Sequence, residues 1–238
     1  MNDLAKFAID AHGGLDRWSQ LKTVSARLLQ GGVLWGLKGK DGILNDVHVT
    51  TDLRTEWASH RPFTKPNRYT SFQPGRVAIE TTDEIVEERL NPRESFKGHV
   101  LDTHWDNLQL AYFAGYAMWT YLNTPFLFAL PGVVTEEIES WEEDDEVWRR
   151  LKVTFPASIA THSAEQTFYF DQHGLLKRHD YDVDIMGGTS AAHYVSGLEE
   201  VSGIKLPTRH RILGRQPDGK AVPTPLVVSI DLSEVEFS

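Results

Sequence analysis

The longest uncharged stretch of the chain runs from Asn107 to Thr135, and any fold for this sequence must enclose it. Two apolar stripes mark its first half. Leu108, Tyr112, Gly115 with Tyr116, Trp119 and Leu122 fall on one helical face, and Leu110, Phe113, Ala117 and Tyr121 on another. A helix apolar on both sides has no face for water and is enclosed by its surroundings. Lipid is the poorer enclosure. A membrane span needs about 20 mostly apolar residues, whereas Asn123 and Pro125 break this run and Gln109, Thr120 and Thr124 dilute it. The flanks, Asp106 before it and Glu136 and Glu137 after it, are acidic, against the usual topogenic pattern. The stretch predicts a buried helix capped by Asp106 and reaching Leu122, with a second apolar piece from Phe126 to Leu130 after Thr124-Pro125.

Around this helix the pattern is one of strands. Asn2 or Asp3 caps a first helix whose Leu4, Phe7, Ala8 and Ala11 share a face, and Gly13-Gly14 ends it. Leu15, Trp18 and Leu21 mark a short second helix. From Val24 the period changes to two. Gly31-Gly32 interrupts, and Val33, Trp35 and Leu37 then alternate as the continuation of a long bent strand. Hairpins are predicted around Thr82-Asp83, around the acidic turn Glu142 to Asp145, and around Asp171-Gln172-His173-Gly174. The segment from His60 to Pro74, with three prolines, reads as looser chain. The fold class is therefore α+β over one domain, residues 1–238. About ten hairpin-linked strands form a curved antiparallel sheet, an open half-barrel wrapped around the central apolar helix, with N-terminal helices.

Several functions are excluded or disfavoured by composition. There is no cysteine, which rules out disulfides and Cys-ligated zinc. The net charge is −10, a poor basis for binding nucleic acid. Eight of those charges belong to one cluster, Glu136 through Glu146, which reads as a solvated hairpin tip. No Gly-x-Ser-x-Gly elbow, phosphate loop, dinucleotide fingerprint or His-Glu-x-x-His motif is present, and no cofactor or metal is implied. The N-terminus lacks the basic and apolar regions of a secretory signal, so a cytoplasmic location is expected.

The residues that point to a site are aromatic and histidine side chains. Alternation along Lys177 to Ile185 puts His179, Tyr181, Val183 and Ile185 on one face, and Arg178, Asp180, Asp182 and Asp184 on a second, solvated face. His193 and Tyr194 repeat the His and Tyr types on the next strand. With Trp35, Tyr112, Tyr116, Trp119, Phe126 and Phe128 they form the candidate lining of a mostly apolar cavity with a few polar handles. The same histidines with a nearby carboxylate are the alternative, an acid–base site. A third possibility is an interaction module built on an exposed sheet edge.

Three segments carry a resemblance. They are Ala11-His12-Gly13-Gly14-Leu15-Asp16-Arg17-Trp18 leading into a Gly-interrupted strand, the hairpin Phe168-Tyr169-Phe170-Asp171-Gln172-His173-Gly174-Leu175-Leu176-Lys177-Arg178, and Gly203-Ile204-Lys205-Leu206-Pro207-Thr208. Together with the layout they resemble the lipoprotein-carrier family of LolA/LolB-like proteins. The resemblance implies an incomplete antiparallel barrel closed by helices, with a cavity suited to a lipophilic small molecule or acyl chain. It carries no site residues across, and lipoprotein sorting is not implied.

Overall fold

Buried and half-exposed residues alternate along Thr23–Gly31, and the same period-two pattern recurs in strand after strand. The computed structural model describes residues 1–238. Helices α1 (Asp3–Ala11) and α2 (Gly14–Trp18) precede β1 (Thr23–Gly31), and one helical turn, α3 (Leu34–Leu37), follows it. Next come β2 (Asp46–Asp52), β3 (Ala58–Arg61), β4 (Tyr69–Gln73), β5 (Arg76–Glu80) and β6 (Ile85–Leu90), then the central helix α4 (Asn107–Asn123). The second half contains β7 (Val134–Glu143), β8 (Glu146–Thr154), β9 (Glu165–Phe170), β10 (Leu176–Val183), β11 (Thr189–Val201), β12 (Ile204–Arg215), β13 (Ala221–Val222) and β14 (Val228–Phe237).

All fourteen strands join one curved sheet in the order β6-β5-β4-β3-β2-β1-β14-β12-β11-β10-β9-β8-β7, with β13 beside β12. Every pairing is antiparallel, and β6 and β7 remain open edges. The first and last strands meet in the middle, Leu28 opposite Leu232 and Gln30 opposite Ile230. Two meanders therefore spread outward from a central seam. The sheet has more strands than the ten or so predicted. β4 lies inside the proline-bearing segment that reads as loose, and its pairing with β5 over five residues makes it a strand.

The central helix fits its prediction closely. Asp106 accepts from the Gln109 amide at 2.8 Å, and Gln109 Oε1 accepts from the Asp106 amide at 2.9 Å, a reciprocal cap. Every residue from Leu108 to Asn123 is buried. The helix rides on β3, β4 and β5, nearer to the N-terminal meander than to the C-terminal one. Gly115 permits that approach, since a Cβ there would stand 2.4 Å from Phe72 Cγ. At one end of the half-barrel the N-terminal helices close the concave side. Leu4, Ala5, Ala8 and Ile9 of α1 are buried, and Trp18 stacks on Phe126 at 4.0 Å.

Two sequence expectations are corrected here. Val33 to Leu37 is a helical turn, not more strand. Gly32 takes φ +106°, and the amides of Val33 and Leu34 bond to the carbonyls of Leu226 and Val227. Because Val33, Leu34, Trp35 and Leu37 are all apolar, their spacing could not separate the two conformations. The face of β10 holding Arg178 and Asp180 is also not solvated, since these residues are 0% and 4% exposed. The Arg178 guanidinium binds Asp180 through two bonds of 2.7 and 2.8 Å and Glu143 at 2.8 Å. It lies within 5.4 Å of the ring centres of Trp141, Tyr169 and Tyr194. The tip of the β7–β8 hairpin and the turn at Gly219 fold over this convex face, and Gly219 accepts a further bond from Arg178. Glu143 thus leaves the solvated acidic tip to become a buried pair's partner. Tyr194 belongs to this outer cluster, bonding Glu143 at 2.5 Å, while its neighbour His193 points inward.

Candidate ligand-binding cavity

The helix that hugs β3 to β5 leaves a gap on its other side. That gap is a cavity of about 260 Å³ between α4 and the rims of β1, β10, β11, β12 and β14. It lies at the end of the half-barrel away from α1 and α2: β14 runs from Val228 in the cavity wall to Phe237 beside Trp18. Small side chains on α4, Ala114 and Ala117, face this gap between the larger Phe113, Met118 and Tyr121. Twenty of the 27 lining residues are hydrophobic, and none is Asp, Glu, Lys or Arg, so the interior favours an uncharged, apolar occupant. The volume exceeds the roughly 150 Å³ apolar cavity that accepts a benzene-sized ligand.

The mouth is made of side chains that remain partly exposed. Val33, just before α3, and Leu37, its last residue, are 43% and 39% exposed, and Leu101 opposite them is 37% exposed. The buried Lys38 ammonium ties the two sides together, donating to the carbonyls of Val100 at 3.2 Å and Leu101 at 2.6 Å.

The polar part of the wall is a chain of three tyrosines and one histidine. Tyr116 Oη is 3.1 Å from His162 Nδ1, Tyr121 Oη is 2.8 Å from His162 Nε2, and Tyr121 Oη is 2.8 Å from Tyr181 Oη. His162 also stacks on Tyr181 at 4.0 Å. Tyr121, His162 and Tyr181 line the cavity, whereas Tyr116 stands behind them. Burial, with the nearby Arg93 charge, pushes the His162 pKa down to about 3, so the ring is neutral. Burial raises the phenols of Tyr116, Tyr121 and Tyr181, so all three stay protonated.

The ten residues nominated from sequence scatter across the interior. Trp35 and Tyr181 line the cavity. Tyr116 supports it through His162. Tyr112 faces a separate recess with Arg93 and Phe155. Trp119 turns away, donating to the carbonyls of Asp52 and Thr55 at 2.9 and 3.1 Å. Phe126 packs on Trp18, and Phe128 packs on Phe168 with ring centres 4.8 Å apart. His179 bonds Gln166 at 2.5 Å and stacks on Phe168, and His193 bonds His210 at 2.9 Å. No carboxylate accompanies the two histidines, because strand alternation sends Asp180 and Asp182 to the opposite face. Tyr194 lies outside altogether. Sequence reasoning missed His162, which sits in a loop with no motif, and Gln30, while Phe113 and Tyr121 stand on the apolar stripe of the central helix without being nominated. The Gly31-Gly32 break beside an apolar run was the one local signal near the mouth.

No family model matches the sequence, and no curated protein matches it significantly. Solved structures do match. A DUF1329 family protein from Desulfovibrio piger superposes with a TM-score of 0.56 at 13% identity, over 100% of this chain and 94% of that one. A domain named for outer membrane lipoprotein sorting, from Vibrio parahaemolyticus, gives 0.54 at 8% identity, over 99% and 91%. A LolA superfamily protein from Nitrosomonas europaea gives 0.53 at 9% identity, over 98% and 92%. At these identities the likeness is one of fold, and in fold the chain resembles the LolA/LolB-like half-barrels along its whole length.

Proposed function

We propose that this protein binds a lipophilic small molecule or an acyl chain in the cavity beside α4, and acts on it as a binder or carrier rather than as a catalyst. The observation that carries this reading is the cavity itself: about 260 Å³, walled mainly by hydrophobic side chains, free of charged ones, and bordered by the exposed apolar residues Val33, Leu37 and Leu101. Transferring an apolar group from water into such a site is favourable by about 25 cal/mol per Å² of surface removed. The half-barrel fold shared with the LolA superfamily and lipoprotein-sorting structures supports the same reading. No helix is long and apolar enough to cross a membrane.

The direct test is native mass spectrometry of freshly purified protein against its denatured mass, followed by lipid extraction. A co-purifying apolar molecule is expected. Ala117→Phe, which fills the gap from α4, is expected to abolish both that mass difference and the binding of a neutral fluorescent probe such as phenylnaphthylamine. Unchanged probe binding in a folded Ala117→Phe protein would place the binding elsewhere.

A further inference from the structure

The polar chain in the cavity wall has one proton more than it has bonds. Tyr116, Tyr121 and Tyr181 each bring one O–H, and neutral His162 brings one N–H, making four donors for the three contacts that link them. One donor is therefore left over, and its place depends on the direction in which the chain is polarised. If His162 donates from Nδ1, the spare proton falls on Tyr116, which is 0% exposed, has no other protein partner and does not reach the cavity. That arrangement strands a buried hydroxyl. Tyr116 avoids that cost by giving its proton to Nδ1. Nε2 then donates to Tyr121, and the spare O–H lies on the Tyr121–Tyr181 pair, in the cavity wall.

A second donor sits in the same wall. Gln30 lines the cavity, is 9% exposed, and has no partner in the protein for its amide nitrogen. Two unspent donors and no charged side chain describe a definite complement. We propose that the cavity takes a neutral lipophilic ligand bearing a hydrogen-bond-accepting carbonyl oxygen, as in an ester or ketone, which the Tyr121–Tyr181 pair and Gln30 anchor while the apolar remainder lies along Ala114 and Ala117. This rests on the binding function above and adds the chemical class of the ligand.

Displacement of phenylnaphthylamine from the full chain at pH 8 tests it with four ligands of similar size: methyl octanoate, a methyl ketone of equal length, undecane and octanoate. The ester, the ketone or both are expected to bind about three- to tenfold more tightly per hydrogen bond than undecane, and octanoate more weakly than the ester. Which carbonyl compound binds better separates the two sources of the same chemistry. Tyr181→Phe would leave the spare O–H on Tyr121, so the variant that removes a donor is Gln30→Leu, which is expected to lower the affinity of the carbonyl compounds about three- to tenfold toward undecane while leaving undecane unchanged, which also shows that the variant is folded. Equal affinity of undecane and both carbonyl compounds in the unmodified protein overturns the donor assignment and leaves the apolar cavity standing. Tighter binding of octanoate than of the ester overturns the neutrality of the ligand. Failure of all four ligands to displace the dye removes the binding function itself, and this inference with it.

Discussion

Tyr121 of α4 and His162 of the β8–β9 loop meet at 2.8 Å, although 41 residues separate them in the chain. The contact ties the enclosed helix to the C-terminal meander across the cavity. Tyr121→Phe would leave His162 Nε2 buried without a partner. A loss of about 1–3 kcal/mol is expected, read as a lower urea midpoint with an unchanged m-value. A loss under about 0.5 kcal/mol would show that the pair does not hold the helix to that wall.

Gly115→Ala sets two effects against each other. In an exposed helix the change gains up to about 1 kcal/mol of propensity. Here the new Cβ would stand 2.4 Å from Phe72 Cγ and 2.5 Å from its Cβ. Overpacking of that kind costs about 1–3 kcal/mol, so net destabilisation is expected, seen as a lower melting temperature. Pairing it with Phe72→Gly, which removes both of those atoms, is expected to cost less than the sum of the two single variants, and an additive double variant would contradict the steric account.

Arg178→Met would leave Asp180, 4% exposed, without the guanidinium that holds both its oxygens. Breaking a buried pair from one side costs about 3–5 kcal/mol. The double variant Arg178→Met/Asp180→Leu is expected to lose much less than the sum of the two single variants. A double-mutant cycle by denaturant unfolding measures the difference, and a coupling near zero would refute the pairing as a stabilising contact.

Stability should fall steeply on acidification. Burial lowers the pKa values of His60 and His210 to about 4 and that of His162 to about 3, and holds His179 and His193 well below their ordinary value. The unfolded chain takes up these protons as pH drops through about 6.5, while the folded chain does not, so each histidine costs up to about 1.4 kcal/mol per pH unit below that point. Glu56 works in the opposite direction. Burial raises its pKa to about 8, so the folded state keeps a proton that the unfolded state releases above about 4.5, and stability declines as pH rises to 8. A stability maximum near pH 7, where the loss from Glu56 balances the gain from the histidines, is the expected result, measured as urea midpoint against pH. His60, whose two ring nitrogens have no partner, gives the control: His60→Leu is expected to flatten the acid limb, and an unaltered limb would exclude it as a contributor.

The central helix was legible from its residues because the information was local. Asp106 and Gln109 are three apart and cap each other, and the apolar stripes exclude water from every side. The hairpins were legible for the same reason, since alternation and turn residues lie within a few positions of one another. The two-sided burial of β10 was not. Arg178, Asp180 and Asp182 alternate as a solvated face would, and the cover over the first two comes from Trp141, Glu143 and Gly219 on distant hairpins. The aromatic residues nominated as a cavity lining are buried, except Tyr194, which lies on the convex side. Which of them border empty space depends on where α4 lies within the half-barrel.

The amino-acid sequence by itself determined the elements: a buried helix, N-terminal helices, and strands joined by short turns into an antiparallel sheet. Each follows from periodicity, capping and turn chemistry over a few residues. The tertiary structure alone decided the cavity and its polar wall. A cavity is the volume that packing leaves unfilled, and here it exists because Gly115 lets α4 settle against Phe72 while Ala114 and Ala117 fail to fill the space opposite. The same placement brings Tyr116, Tyr121, His162 and Tyr181 into one hydrogen-bonded chain, from positions that no local pattern connects.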